Sequence, residues 1–112
     1  MLDLAFTDKT YEIKLADGTI LNLNRPTQAI QETLINIKSL MDAKGEDAAL
    51  EAMNVIMNVF TRILNRNTEG MKFEQDKIKE DYDIGVAMIV LQDYFTFWNK
   101  EIQEQVSFHQ SQ

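Results

Sequence analysis

The first quarter of the chain alternates apolar and polar residues, a pattern typical of strands with one buried face. Turn residues interrupt the alternation twice. At each interruption the chain reverses direction in a short loop, and the strand that follows pairs with the strand before it. The pattern therefore predicts a three-stranded antiparallel meander in residues 1–25, with strands at residues 2–6, 10–15 and 19–23.

The positions of the apolar residues decide the register of both predicted hairpins. Pairing around residues 8–9 places the apolar residues of the first two runs on one face. At the second turn a two-residue loop would mix the faces, whereas a three-residue loop over 16–18, with Gly18 in the left-handed conformation, places Ile13 opposite Leu21. We choose the longer loop, because a one-residue slip would turn Leu21 towards water. The apolar face then comprises Leu2, Leu4, Phe6, Tyr11, Ile13, Leu15, Leu21 and Leu23.

After Pro26 the apolar residues follow helical spacing, which predicts a helical cover for the meander. Thr27 is the expected N-cap of a first helix that ends near Gly45. A second helix, over about 47–66, folds back on the first, so residues 26–66 form an antiparallel helical hairpin. The expected apolar positions are Ile30, Leu34, Ile37, Leu40 and Met41 in the first helix, and Leu50, Met53, Ile56, Met57, Phe60, Ile63 and Leu64 in the second.

The last part of the chain predicts two further helices. Residues 67–80 first break the helical pattern and then become mostly charged, which indicates a loop and a short solvated helix. A long helix is expected over 81–106, followed by a frayed polar tail at 107–112. The predicted fold class is α+β, with the meander packed on a bundle of three main helices and a short one. The length fits a single domain over 1–112.

The last predicted helix is apolar around nearly its whole circumference. Its apolar residues form two stripes: Ile84, Met88, Leu91, Phe95, Trp98, Ile102 and Val106 in one, and Tyr82, Val86, Ile89, Val90, Tyr94 and Phe97 in the other. Such a helix is either central in its own core or shared with another chain, and the pattern leaves both open. We expect part of it to bind a partner or a second copy, through Met88, Tyr94, Phe95, Phe97, Trp98 and Ile102.

The composition contains few of the residues that commonly act in catalysis. No Cys is present, and the single His, His109, lies in the polar tail. Asp93 is the one carboxylate inside an apolar run, and we interpret it as the polar edge of its helix. The spacing of Asp81, Asp83 and Gly85 faintly matches a calcium-binding loop but places the glycine one position early. We therefore expect no catalytic residues, no metal and no cofactor, and hence no enzyme.

The net charge of the chain and the length of its apolar runs limit the classes of partner that it can bind. The chain has 11 basic and 18 acidic residues, a net charge of −7, which repels nucleic-acid phosphates. The longest apolar run, residues 86–91, is far shorter than the roughly 20 residues that span a bilayer. The N-terminus lacks the basic region of a signal peptide. We expect a cytoplasmic protein that binds other proteins, and no nucleic-acid or membrane partner.

The layout resembles a known family. A short strand unit containing Lys9-Thr10-Tyr11-Glu12-Ile13-Lys14-Leu15, a helix that begins after a proline, and an acidic helical remainder occupy 112 residues. This arrangement, over nearly the whole chain, is similar to the tail assembly chaperones of long-tailed phages and prophages of Gram-positive bacteria.

The resemblance implies a protein that self-associates and coats the tape measure protein. It would keep that client soluble in the host cytoplasm until the tail tube protein polymerises around it. The resemblance also implies that ribosomal frameshifting makes a longer form. Two other non-catalytic classes stay open: a structural subunit of a virion or secretion system, and a small regulatory or antitoxin-like module.

Overall fold

Two short strands precede four helices in the part of the chain that the structure describes. The computed structural model describes residues 9–42 and 45–110, without the side chains of residues 38, 40, 41 and 102–110. The α+β class therefore fits. The elements are β1 (Tyr11–Lys14), β2 (Ile20–Leu23), α1 (Gln28–Asp42), α2 (Glu46–Leu64), α3 (Gln75–Asp81) and α4 (Ile84–Gln110).

Strands β1 and β2 form an antiparallel hairpin in the predicted register. Ile13 pairs with Leu21, and the N–H of Leu15 donates to the carbonyl of Thr19 at 2.8 Å. Gly18 has φ 93°, the left-handed conformation that a three-residue loop needs and that glycine adopts without steric cost. The choice of the three-residue loop is confirmed.

The hairpin buries one face, as alternation requires. Leu21 and Leu23 are fully buried and Leu15 is nearly so, whereas Ile20 on the opposite face is exposed. The predicted first strand, residues 2–6, lies outside the described residues, and the sheet that is described has two strands.

Short polar side chains cap the N-termini of two of the helices. The hydroxyl of Thr27 accepts the N–H of Ile30 at 3.2 Å before α1, and a carboxylate oxygen of Asp83 accepts the N–H of Val86 at 2.9 Å before α4. Helix α4 continues to Gln110, beyond the predicted end, because no glycine or proline follows its first turn. Part of the expected frayed tail is therefore helical.

Helix α2 is central and packs against α1, α3, α4 and β2. The core forms where these elements meet. Two apolar positions predicted for α2 are nevertheless on the surface: Leu50 is 60% exposed and Met53 is 45% exposed. Among the described residues, the main buried side chains are Leu21, Leu23, Ile30, Ile37, Ile56, Met57, Val59, Phe60, Ile63, Leu64, Ile78, Ala87, Leu91, Tyr94 and Trp98.

The connection from α2 to α3 docks on the sheet, which the sequence pattern did not predict. The N–H of Thr68 donates to the carbonyl of Asn22, and the N–H of Asn24 donates to the carbonyl of Arg66, both at 2.9 Å. Asn67 forms an isolated antiparallel bridge with Leu23. A segment expected to be a loop or a single turn thus lies along β2 as a third, strand-like neighbour.

Two asparagine side chains replace the backbone hydrogen bonds that this connection lacks. The amide of Asn67 donates to the carbonyls of Leu64 and Met71, both at 2.8 Å, and its oxygen accepts two backbone N–H groups that follow it. The side chain of Asn65 bonds both the N–H and the carbonyl of Phe73. These contacts satisfy the polar backbone of a segment without regular structure.

A carboxylate completes the attachment of the connection to β2. The two oxygens of Glu69 accept the backbone N–H and the side-chain amide of Asn22, each at 3.0 Å, and one of them also accepts the hydroxyl of Thr68. Because these donors favour the ionised form, the pKa of Glu69 falls from 4.5 to about 2.

This pKa predicts a specific acid sensitivity. A carboxyl group whose pKa is lowered by folding stabilises the native state above its unfolded pKa, so its contribution should be lost as the pH falls from 4.5 towards 2. Glu69→Gln should therefore flatten the loss of stability in this window, measured by urea unfolding at a series of pH values. Glu12→Gln is the control, since no hydrogen bond to the exposed side chain of Glu12 is found in the described part of the chain. Equal pH profiles for Glu69→Gln and the wild type would contradict the assignment.

Candidate protein-binding site

One seam of α4 is fully buried within the chain. It consists of Ala87, Leu91, Tyr94 and Trp98, which follow one another at helical spacing and are at most 6% exposed. The seam runs between the two predicted stripes and takes residues from both. Tyr94 and Trp98, predicted as binding residues, therefore belong to the core.

Contacts within the chain account for the burial of these two rings. The hydroxyl of Tyr94 donates to the carbonyl of Asn24 at 2.7 Å, and burial raises the pKa of Tyr94. The guanidinium carbon of Arg25 lies 5.5 Å from the centroid of the Trp98 ring, a cation–π arrangement. Helix α4 is thereby tied to the connection between β2 and α1.

Aromatic contacts cover part of the flank of α4 that faces β1. The ring centroid of Phe97 lies 5.5 Å from that of Tyr11 and 4.9 Å from that of Trp98, both edge to face. The hydroxyl of Tyr11 donates to the carboxylate of Asp93. Burial, followed by the bond to this carboxylate, raises the pKa of Tyr11. Phe97 is half-buried here, and Asp93 has a role in joining strand to helix.

The opposite flank of α4 borders an apolar groove. We call it the α1–α4 groove: α1 and α4 form its walls, α2 forms its floor, and its volume is about 340 Å³. Among the residues whose side chains are described, Gln92 is its one polar lining residue and no charged residue lines it. Met88 and Phe95, both predicted as binding residues, are half-buried there, while the side chain of Ile102 lies outside the described residues. The apolar lining is Leu34, Ile37, Ile56, Met88, Leu91 and Phe95.

A second groove, which we call the α2–α4 groove, lies between the N-terminal half of α2 and the start of α4. It has a volume of about 410 Å³ and contains Leu50 and Met53, the two exposed apolar residues of α2. Periodicity assigned both to the core, because it identifies apolar positions without showing which element covers them. Its other apolar lining residues are Met57, Tyr82 and Ile84.

A third apolar surface lies beside β1. A depression of about 410 Å³ between the strand and α4 includes Ile13, Ile89 and Val90. Ile89 is 69% exposed among the described residues. The apolar circumference of α4 is thus divided among a buried seam, a groove on one side and an open depression on the other.

The described side chains form no group of three or more His, Asp or Glu residues placed to hold a metal ion. In the same ranges, no helix has the length and apolar character needed to cross a membrane. Tyr11 and Tyr94, with raised pKa values, and Glu69, with its lowered one, each make a contact between elements of the fold. The two grooves and the depression beside β1 are places where apolar side chains stay open to solvent in the described part of the chain.

Comparisons of the chain with protein-family models, with curated proteins and with solved structures find no match.

Proposed function

We propose that this chain is a non-enzymatic tail assembly chaperone of a phage or prophage, which self-associates and keeps the tape measure protein soluble in the host cytoplasm. The observation that supports this function best is the α1–α4 groove, whose described lining residues are all uncharged, on a chain with a net charge of −7. An apolar recess rimmed by a charged surface is the usual form of a protein-binding site.

Self-association requires two equally acidic chains to meet, so the contact surface must avoid their charges. The α1–α4 groove meets this requirement, because its lining is aliphatic and aromatic with one amide. Met88 is well suited to such a surface, since its flexible thioether adapts to different partners. We assign this groove to the contact with a second copy.

The net charge supports the holding function. A long apolar client aggregates unless its apolar segments are covered and the complex repels other complexes. Acidic residues promote solubility more effectively than basic ones do. A self-associated acidic protein would supply both effects until the tail tube protein takes over the client.

Replacing Met88 and Phe95 together by glutamine tests this assignment. Both side chains are half-buried in the single chain and would become fully buried in an oligomer. Loss of about 2 kcal/mol of apolar burial should weaken self-association by roughly thirtyfold. Sedimentation velocity should show a shift to smaller species, and co-expressed tape measure protein should move to the insoluble fraction.

Ile35→Gln is the matched control, because Ile35 lies on α1 and is 63% exposed but does not line the groove. It should leave both the sedimentation profile and client solubility unchanged. If the double variant behaves like this control, the groove is not the self-association surface. If wild-type protein does not increase client solubility at all, the chaperone function itself is refuted.

We also propose that residues 2–6 complete the meander by pairing with the outer edge of β1. No described residue pairs with this edge. The pairing around residues 8–9 sets Leu4 opposite Ile13, which lines the depression beside α4 together with Ile89. A strand placed there would cover an exposed isoleucine and satisfy an open strand edge.

A substitution at Ile89 tests the third strand. If the strand covers this side chain, Ile89→Gln should destabilise the chain by about 1–2 kcal/mol, and the effect should shrink in a Leu4→Ala background. If the surface is open, the change should stay within about 0.5 kcal/mol, as expected for Ile35→Gln. Chemical denaturation of the four variants and the wild type measures these differences, and an additive double variant would refute the contact.

A further inference from the structure

The α2–α4 groove contains exposed apolar side chains and lies between two helical segments that are rich in acidic residues. Leu50 and Met53 form its outer part, and the buried Met57 forms its floor. Tyr82 and Ile84, at the junction of α3 and α4, form the opposite bank. The chain therefore presents a short apolar strip between two helical segments.

Nearly all of the net charge of the protein lies in the two helical segments that contribute these banks. Residues 46–57 contain three acidic residues and no basic one. Residues 74–84 contain five acidic residues and two lysines. Together the banks carry a net charge of −6 out of the −7 of the whole chain. The remaining residues of the sequence carry a net charge of −1.

The two lysines on the α3 bank already have partners. Lys79, which lines the groove together with Asp83, donates to the side-chain oxygen of Asn54 at 3.3 Å. Lys77 lies 3.5 Å from a carboxylate oxygen of Asp81 and 4.0 Å from one of Glu80. These exposed pairs are weak, and they leave three acids of this bank, Glu74, Asp76 and Asp83, without a lysine partner among the described residues.

We propose that the α2–α4 groove binds a basic amphipathic helix of the client protein. Its apolar face would cover Leu50 and Met53, and its lysines or arginines would face the acids on the two banks. A second copy is a poor occupant, because it would bring another acidic surface to a groove that lies between two acidic segments. The identity of the client rests on the proposed function, whereas the chemistry of the segment follows from the groove.

The two grooves would then have separate tasks. The α1–α4 groove joins like-charged copies, and the α2–α4 groove, which lies between two acidic segments, selects a basic segment of a different protein. Selection by charge also increases the rate of encounter, and this effect weakens as salt is added.

A synthetic peptide tests the groove without any tape measure protein. The probe is a helical peptide of about 15 residues with leucines on one face and lysines on the other, compared with a peptide in which glutamates replace the lysines. Isothermal titration calorimetry with the full chain should detect binding of the lysine peptide but not of the glutamate peptide. Raising the salt to about 1 M, where the Debye length is about 3 Å, should weaken it.

Two variants locate the site. Leu50→Gln combined with Met53→Gln should weaken peptide binding roughly tenfold or more, since both apolar contacts are lost. Glu46→Lys, one helical turn before Leu50 on the same face of α2, should weaken it at low salt and lose most of its effect at high salt. All three side chains are exposed, so the fold should be retained, which circular dichroism verifies. Ile35→Gln is the control and should bind the peptide like the wild type.

Three results would overturn the proposal: equal binding of the glutamate peptide, an equal loss with Ile35→Gln, or no binding of the lysine peptide at about 1 mM chain. These results are separable from failure of the chaperone function. If the peptide does not bind but the chain still keeps tape measure protein soluble, only this groove is excluded. If the peptide binds but the client stays insoluble, only the chaperone function is excluded.

Discussion

The structure depends on how helix α4 distributes an apolar surface that one small core cannot fully cover. Its buried seam packs against α2 and the connection that precedes α1, where Tyr94 bonds the carbonyl of Asn24 and Trp98 lies against Arg25. A helix can turn one stripe inward, so its two flanks must find other cover. One flank borders the α1–α4 groove and the other borders the depression beside β1.

The α1–α4 and α2–α4 grooves differ in the charge around them. The chain has a net charge of −7, and the excess of acidic over basic residues lies chiefly in the N-terminal half of α2 and around α3. No described side chain that lines the α1–α4 groove is charged, while the α2–α4 groove is bounded by the two acidic segments. Electrostatics sets which partner can approach, and apolar burial supplies the affinity once contact is made. The proposed contacts with a second copy and with a basic client follow from this division.

Local rules predicted the parts of the fold that depend on local chemistry. Counting residues across the turn fixed the pairing of Ile13 with Leu21, and capping chemistry identified Thr27. Asn67 was missed because its side chain organises an irregular connection that has no periodicity, although Asn is a common residue at such positions. Periodicity also placed Trp98 and Phe95 in one stripe, and only tertiary packing shows that the first is buried while the second borders a groove.

The central claim is that the chain holds a client transiently and is not a component of the assembled tail. Quantitative mass spectrometry of purified particles, made in cells that produce this chain, tests it most directly. A chaperone should be abundant in the cell lysate and absent from finished particles that contain the tape measure protein. Recovery of the chain in a fixed ratio to the tail tube protein would contradict this account and would identify a structural subunit instead.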